Sequence, residues 1–407
     1  MAEYGFVLAL VTLLLGIGIG KAWERYKLRD GRWVDRRRLR QTPHYMLGLN
    51  FLVDHQVDRA IDALTAAVGQ DHDALEIQMI LGNLLRQKGQ VARAITTHQA
   101  LLQRPDLTRI EQAYVLLCLG LDFRHGGFVD RALEAFKEVN RLDPDNQYAL
   151  LNLQRLHEDQ QQWVEAAAIR EQLMALAPPD QPQHRQILAF LRNQLGRSAL
   201  QSGSGGEAAR IFAEAIDTDA AAVPAYLNLG DLRAAAGDLP GAVEVWERLT
   251  RAVPERAHLA FSRLERAYAT SGDSDRFVSL CQRLIAQHPQ DWRARLALSR
   301  HQSAAGRYGA ALDLLFDALP HHPHALPIHQ EVWRVLGALE FNPVLVGRYT
   351  DLTRDAVFYL DPHVCVTCRY RSTELLWRCP QCHEWNSFLE ERIAPARGLS
   401  ETVAAEP

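Results

Sequence analysis

Small residues recur along most of this chain at a spacing that leaves few folds open. Ala60, Ala94, Ala132, Ala166, Ala208 and Ala242 are followed at equivalent places by Arg276 and Ala310. The interval is 34 residues, apart from 38 between Ala94 and Ala132 and 42 between Ala166 and Ala208. Self-similarity at such a period marks stacked supersecondary units, none of which can bury its apolar face alone.

Other landmarks keep the same register. Leu-Gly pairs stand at Leu47-Gly48, Leu81-Gly82, Leu119-Gly120, Leu195-Gly196 and Leu229-Gly230. A bulky residue follows the small one by four at Leu64, Phe136, Phe212, Trp246 and Leu314. Proline ends units at Pro144, Pro178 and Pro254, because it cannot continue a helix. Turn glycines fall at Gly89, Gly127, Gly203 and Gly237. The pattern resembles tetratricopeptide repeats, two antiparallel helices per unit, over residues 41–324 in about eight units. The fold class expected is therefore an all-α solenoid. In the two stretched intervals, around Pro105–Ile110 and Pro178–His184, the extra residues are expected to lengthen the connections between units. The Gly203-Ser204-Gly205-Gly206 run reads as a turn between helices rather than an anion cradle.

Residues 325–360 read as a helical cap anchored by Trp333, Leu336, Leu339 and Phe341. His321, His322, His324 and His329 lie around Pro323 and Pro327 and read as a solvated loop rather than a metal cluster. The tail, residues 393–407, is small and polar and is expected to be disordered.

The first 20 residues differ from the rest. Tyr4 to Gly20 holds no charged residue, the short end of a membrane span. Residues 21–40 then hold nine Lys or Arg and three acids, which the positive-inside rule places on the cytoplasmic side. A cleaved signal peptide needs its positive charge before the apolar run, where only Glu3 stands. An uncleaved single-pass anchor with a cytoplasmic body is expected. Gly16 and Gly20 form a small-xxx-small pair of the kind that lets two spans approach closely, which would make a homodimer. With Glu3 counted, residues 1–40 carry about +5 of a total of −4, so the body is acidic and does not suit nucleic acid.

Four of the six cysteines stand together as Cys365-x2-Cys368 and Cys379-x2-Cys382. Each pair makes a tight turn that aims two thiolates at one point, and two such turns close a tetrahedral site. Zinc fills such a site structurally, and iron suits it too. Rubredoxin-type knuckles usually carry Gly after the second Cys; Arg369 and His383 stand there, which favours Zn2+ over iron. The ribbon, residues 361–392, is too small for its own core and is expected to dock Trp377 and Trp385 on the cap. Cys118 and Cys281 read as inert core thiols. No nucleophile–base constellation or phosphate loop points to an enzyme.

The ordered set of anchor, basic segment, repeat array and ribbon is specific. With Trp377-Arg-Cys379-Pro-Gln-Cys382-His-Glu-Trp385 and the closing Ala396-Arg397-Gly398-Leu399, it resembles the lipopolysaccharide assembly protein B family. That resemblance implies metal ligands at Cys365, Cys368, Cys379 and Cys382. It also implies a non-catalytic inner-membrane adaptor. Its partners would be the membrane AAA+ protease FtsH, the deacetylase that commits carbon to lipid A, and lipopolysaccharide assembly proteins. A scaffold without a proteolytic role and an iron electron-transfer protein are the alternatives.

In such arrays, positions 2, 5, 9 and 12 of each first helix face inward. Here they include Asn83, Arg86, Tyr114, Arg124, Arg155, Asn193 and Arg197, among apolar residues such as Leu117, Tyr148 and Phe190. Four Arg against Glu76 and Glu158 suggest a stripe for an acidic-apolar partner segment.

Overall fold

The computed structural model of the protein describes residues 43–70, 74–178, 181–353 and 363–390. Among these residues no helix is long and apolar enough to cross a membrane. The expected anchor, the basic segment and the tail lie outside the described residues.

Among the described residues, helices follow one another as hairpins. They are α1 (Pro43–Val53) with α2 (Val57–Gln70), α3 (Leu75–Gln87) with α4 (Val91–Leu102), α5 (Arg109–His125) with α6 (Val129–Leu142), and α7 (Gln147–Asp159) with α8 (Trp163–Leu176). Next come α9 (Pro182–Gln201) with α10 (Gly205–Thr218), and α11 (Val223–Ala235) with α12 (Leu239–Ala252). A 3-10 segment, Pro254–Ala260, leads into α13 (Phe261–Thr270) with α14 (Ser274–Gln287). The last are α15 (Trp292–Ala304) with α16 (Tyr308–Ala318), and α17 (Leu326–Ala338) with α18 (Pro343–Thr353). Residues 1–156 and 157–407 cluster as two compact units, the division falling within α7.

The turn inside each hairpin needs one residue with positive φ. Gly89, Gly127, Gly203, Gly237, Gly272 and Gly306 supply it at φ between 74° and 85°. His55, Gln161 and Glu340 take the same place at φ 58°, 58° and 53°, so those turns lacked a glycine signal. Gly205 and Gly206 lie inside the first turn of α10, not in the connection where the sequence analysis placed the whole glycine run.

The core follows the pairing of small with bulky residues. A Cβ on Gly196 would come within 2.6 Å of Phe212, and one on Gly230 within 2.1 Å of Trp246. In residues 157–407 a continuous core runs from Ala189 through Tyr226 and Trp246 to Leu298. A second core, with Phe316, Val332 and Leu336, closes the last hairpins. Leu336 is fully buried there, whereas Trp333 and Phe341, expected as anchors, are half exposed.

Three expectations are corrected. The extra residues between Ala94 and Ala132 and between Ala166 and Ala208 lengthen the connections by only one or two residues. The rest lengthen first helices: α5 has 17 residues and α9 has 20, against 13 in α3 and α11. Thr108 caps α5 early through a box with Glu111, and Pro182 opens α9 at its first turn, where a missing N–H costs nothing.

From the seventh hairpin the register slips by one. Phe277 and Ala311 are buried, while Arg276 and Ala310 are exposed. The small-residue site lies five positions after each turn glycine, and Gly272 and Gly306 fix it at 277 and 311. Arg276 instead pairs with Glu247 at 2.6 Å and lies over the Tyr268 ring.

Of the histidines near Pro323, His321, His322 and His324 lie in a part-exposed turn, but His329 does not belong to a solvated loop. His329 is buried, with Nδ1 on the Tyr349 hydroxyl at 2.9 Å and Nε2 on the Pro323 carbonyl at 2.7 Å. Both ring nitrogens are engaged, and the site is structural.

Candidate metal centre and the face it docks on

The ribbon is a three-stranded antiparallel sheet in the order β2-β1-β3, with β1 His363–Cys365, β2 Arg371–Ser372 and β3 Phe388–Glu390. Cys365 ends the central strand β1 opposite Phe388, so the first knuckle follows that strand directly. The second knuckle is closed by a bridge between Arg378 and Trp385. Each knuckle needs a left-handed residue after its second cysteine. Arg369 and His383 adopt it at φ 63° and 61°, without the usual glycine.

The four thiols converge. Their sulfurs all lie within 4.8 Å of one another, and this is the cluster among the described residues suited to a metal ion. Cys365 Sγ is 3.6 Å from Cys382 Sγ, and Cys368 Sγ is 3.6 Å from Cys379 Sγ. A tetrahedron with metal–sulfur bonds of 2.3 Å has edges of about 3.8 Å, so the donor set fits a closed four-thiolate metal site. A disulfide needs sulfurs at about 2.05 Å, and the cysteines are free.

The thiols cannot all ionise unaided. Burial opposes the Cys365 thiolate, yet Ser387 and the amides of Cys368 and Thr367 outweigh it and bring that pKa down to about 6. Burial and the neighbouring thiols push Cys382 up to about 12. A cation at the centre of the four sulfurs removes that conflict. Cys118 and Cys281 lie elsewhere and are buried. Burial raises both thiols, Cys281 to about 12, so neither is a reactive nucleophile.

The ribbon does not bury its tryptophans against residues 325–360. Trp377 and Trp385 pack on Phe190 of α9, with ring centroids 6.0 Å and 5.7 Å away. Arg378 pairs with Glu158 at 2.8 Å and with Asp159 at 3.0 Å, at the end of α7. On the 3-10 segment, Arg256 donates to the Phe388 carbonyl at 3.1 Å. On α15, Arg293 pairs with Glu390. Phe190 offers an aromatic floor to the two indoles, and the carboxylates of Glu158 and Asp159 beside it meet the Arg378 guanidinium.

These contacts are all with first helices or the segment leading into one. The ribbon therefore lies on the face where the sequence analysis sought an outside segment. The inward-facing candidates do not form one open stripe. Arg86 pairs with Asp122 at 2.8 Å, and Arg124 donates to Asn152. Asn83 and Arg155 are half-buried, and Tyr114 is exposed. Asn193 is buried and accepts from Asn228 at 2.8 Å, while Arg197 is exposed and donates to Gln194. The sequence analysis missed Asp122, His98, Arg256 and Arg293. Asp122 could have been found as the single carboxylate in the apolar run Leu119–Phe123.

His258, on the 3-10 segment beneath Arg256 and Arg293, is pushed down to about pH 4, chiefly by burial and then by Arg293. An unfolded histidine takes a proton near pH 6.5. Between those values the folded chain holds fewer protons than the unfolded one, so stability falls as pH drops through the window. The full loss is on the order of 3 kcal/mol. A His258→Leu chain should lack it. Urea midpoints of the two chains between pH 7 and 4.5 should diverge, and parallel profiles would refute the assignment.

Helix hairpins with a docked four-thiol ribbon define a tetratricopeptide-repeat protein with a rubredoxin-type metal-binding domain. Profiles described as tetratricopeptide repeat match residues 45–106 and 193–257, 149–185 and 273–341. The rubredoxin metal binding domain profile matches residues 363–390. The chain is 25% identical over 402 residues to lipopolysaccharide assembly protein B of Escherichia coli strain K12, covering 97% of this chain and 99% of that protein. The protein of that name from Haemophilus influenzae is 25% identical over 396 residues, covering 94% and 98%. These matches support a likeness to the lipopolysaccharide assembly protein B family along nearly the whole chain.

Proposed function

We propose that this chain is a non-catalytic adaptor in lipopolysaccharide assembly at the cytoplasmic face of the inner membrane. In this reading residues 1–20 anchor it, and the repeat array presents the lipid A-committing deacetylase to the protease FtsH. The observation that supports it is the end-to-end likeness to lipopolysaccharide assembly protein B, together with this chain's own repeat and ribbon matches. The proposed metal is zinc, in a structural site whose four positions are all protein thiols, so no position is left for a substrate. On residues 1–156, exposed Tyr114 with Ile110 and Tyr148 is the proposed contact surface of the array.

A chain lacking residues 1–20 should fold but fail to function, because an adaptor for a membrane protease must meet it in the membrane plane. In its own bacterium, deleted for this gene, full-length chain should restore a short deacetylase half-life. The truncated chain should leave the half-life several-fold longer. Equal half-lives with the two chains would remove the anchored-adaptor reading.

A further inference from the structure

The ribbon has almost no core apart from its metal ligands. Val364 and Trp385 are buried outside its internal cluster, which is Cys365, Cys379 and Phe388 with Cys368, Cys382, Leu375 and Leu376 packed on them. Four of these seven are the ligating thiols. Without a cation, Phe388 and two half-buried leucines must hold the sheet, which is too little for a stable small domain.

Most of the docking residues are tied to a ligand. Trp377 and Arg378 immediately precede Cys379, and Trp385 follows Cys382 by three. Phe388, whose carbonyl accepts from Arg256, is paired across the sheet with Cys365. The geometry that lets two indoles meet Phe190 while one guanidinium meets Glu158 and Asp159 is therefore the geometry of the knuckles. Trp385 is buried by that contact. Docking and metal binding stabilise the same arrangement of the same short segments.

We propose that the ribbon is a metal-latched lid over the first-helix face around Phe190, Glu158 and Asp159. With metal bound, the lid covers an aromatic floor flanked by two carboxylates. With metal removed, the lid loosens and that floor is uncovered. Coupling of this kind is reciprocal: the factor by which bound metal strengthens docking is the factor by which docking strengthens metal binding. The proposal rests on the metal site and not on which partner the adaptor reading assigns.

The test uses the full-length protein. Hydrogen exchange is followed by mass spectrometry before and after stripping the metal with a chelator. Exchange in residues 363–390 and in the α9 segment around Phe190 should rise tenfold or more, while α11 and α12 stay protected. Zinc affinity is then read by competition with a chromophoric chelator for Asp159→Arg, Arg378→Glu and the two together. Neither residue touches a thiol. Each single change should weaken zinc binding about tenfold, and the charge-exchanged double variant should recover part of the loss, which a general folding defect would not do. Asp159 lies at an exposed helix end, so melting temperatures should hold. Unchanged protection around Phe190 after stripping overturns the lid, and wild-type zinc affinity in the single variants overturns the coupling. Deacetylase half-lives are not part of the readout, so failure of this idea is separable from failure of the adaptor reading.

Discussion

A chain carrying Cys365→Ser and Cys368→Ser is expected to bind no metal and to lose the ordered ribbon, while its helices remain. Serine hydroxyls are not thiolates at neutral pH, and two remaining sulfurs cannot close a tetrahedron. Apparent zinc binding in small four-ligand peptides is worth about 10–16 kcal/mol, and that energy is folding energy where the domain has no core of its own. Apart from the cluster around Phe190, the helical cores do not depend on it. Phe316, Val332 and Leu336 close the last hairpins without the ribbon, and Tyr226 and Trp246 sit between helices. Circular dichroism should keep the helical signal of residues 43–353, and elemental analysis should find less than a tenth of one metal equivalent. Retention of one equivalent, or collapse of the helical signal with the ribbon, would contradict the assignment. Iron in place of zinc in the wild-type chain would overturn the proposed metal but not the site.

The second large effect concerns a cluster in residues 1–156 that has no part in metal binding. Asp122 on α5 is fully buried. One of its oxygens accepts from Arg86 on α3 at 2.8 Å, and the other meets Nδ1 of His98 on α4 at 2.5 Å. His98 stands where other units place Leu64, Phe136 or Phe212, and a Cβ on Gly82 would lie 2.4 Å from its Nε2. The cluster thus replaces an apolar contact between hairpins by an ionic one. Removing the carboxylate leaves a nearly buried guanidinium without its counter-charge and a buried imidazole without its hydrogen-bond partner, which costs about 3–5 kcal/mol. That is a large share of the 5–15 kcal/mol typical of a domain, so Asp122→Ala should unfold residues 43–156 at markedly lower urea. The combined Arg86→Met, His98→Leu and Asp122→Leu chain should recover most of the loss, because well-packed apolar residues substitute for buried ion pairs at little cost. A urea midpoint within experimental error of wild type for Asp122→Ala would refute the role given to this carboxylate.

Much of the architecture was legible in the residues, for reasons that can be named. A helix hairpin needs a small residue where its helices cross and a left-handed residue at its turn. Both are local demands, so Gly82, Ala94 and Gly89 announce themselves. The four thiols were legible because two knuckles impose their spacing on the chain. Where a local demand was met by an unexpected residue, the reading failed. His55 and Gln161 make turns that glycine makes elsewhere. Arg369 and His383 make knuckles in the same way. Ala310 and Ala311 stand side by side, so composition alone could not choose between them, and the wrong one was taken.

The sequence by itself determined the repeating hairpin, its period and the cluster of thiols, because each depends on residues close together in the chain. Only the tertiary structure decided where the ribbon rests, and that Asp122 joins Arg86 to His98. Arg378 reaches Glu158 and Asp159 from 219 positions away in the latter case, and Asp122 reaches back 36 positions to Arg86. Such pairings depend on which surfaces remain after the hairpins have stacked. The one-residue slip at Phe277 has the same origin: burial is set by where Gly272 turns the chain, and not by which neighbour has the smaller side chain.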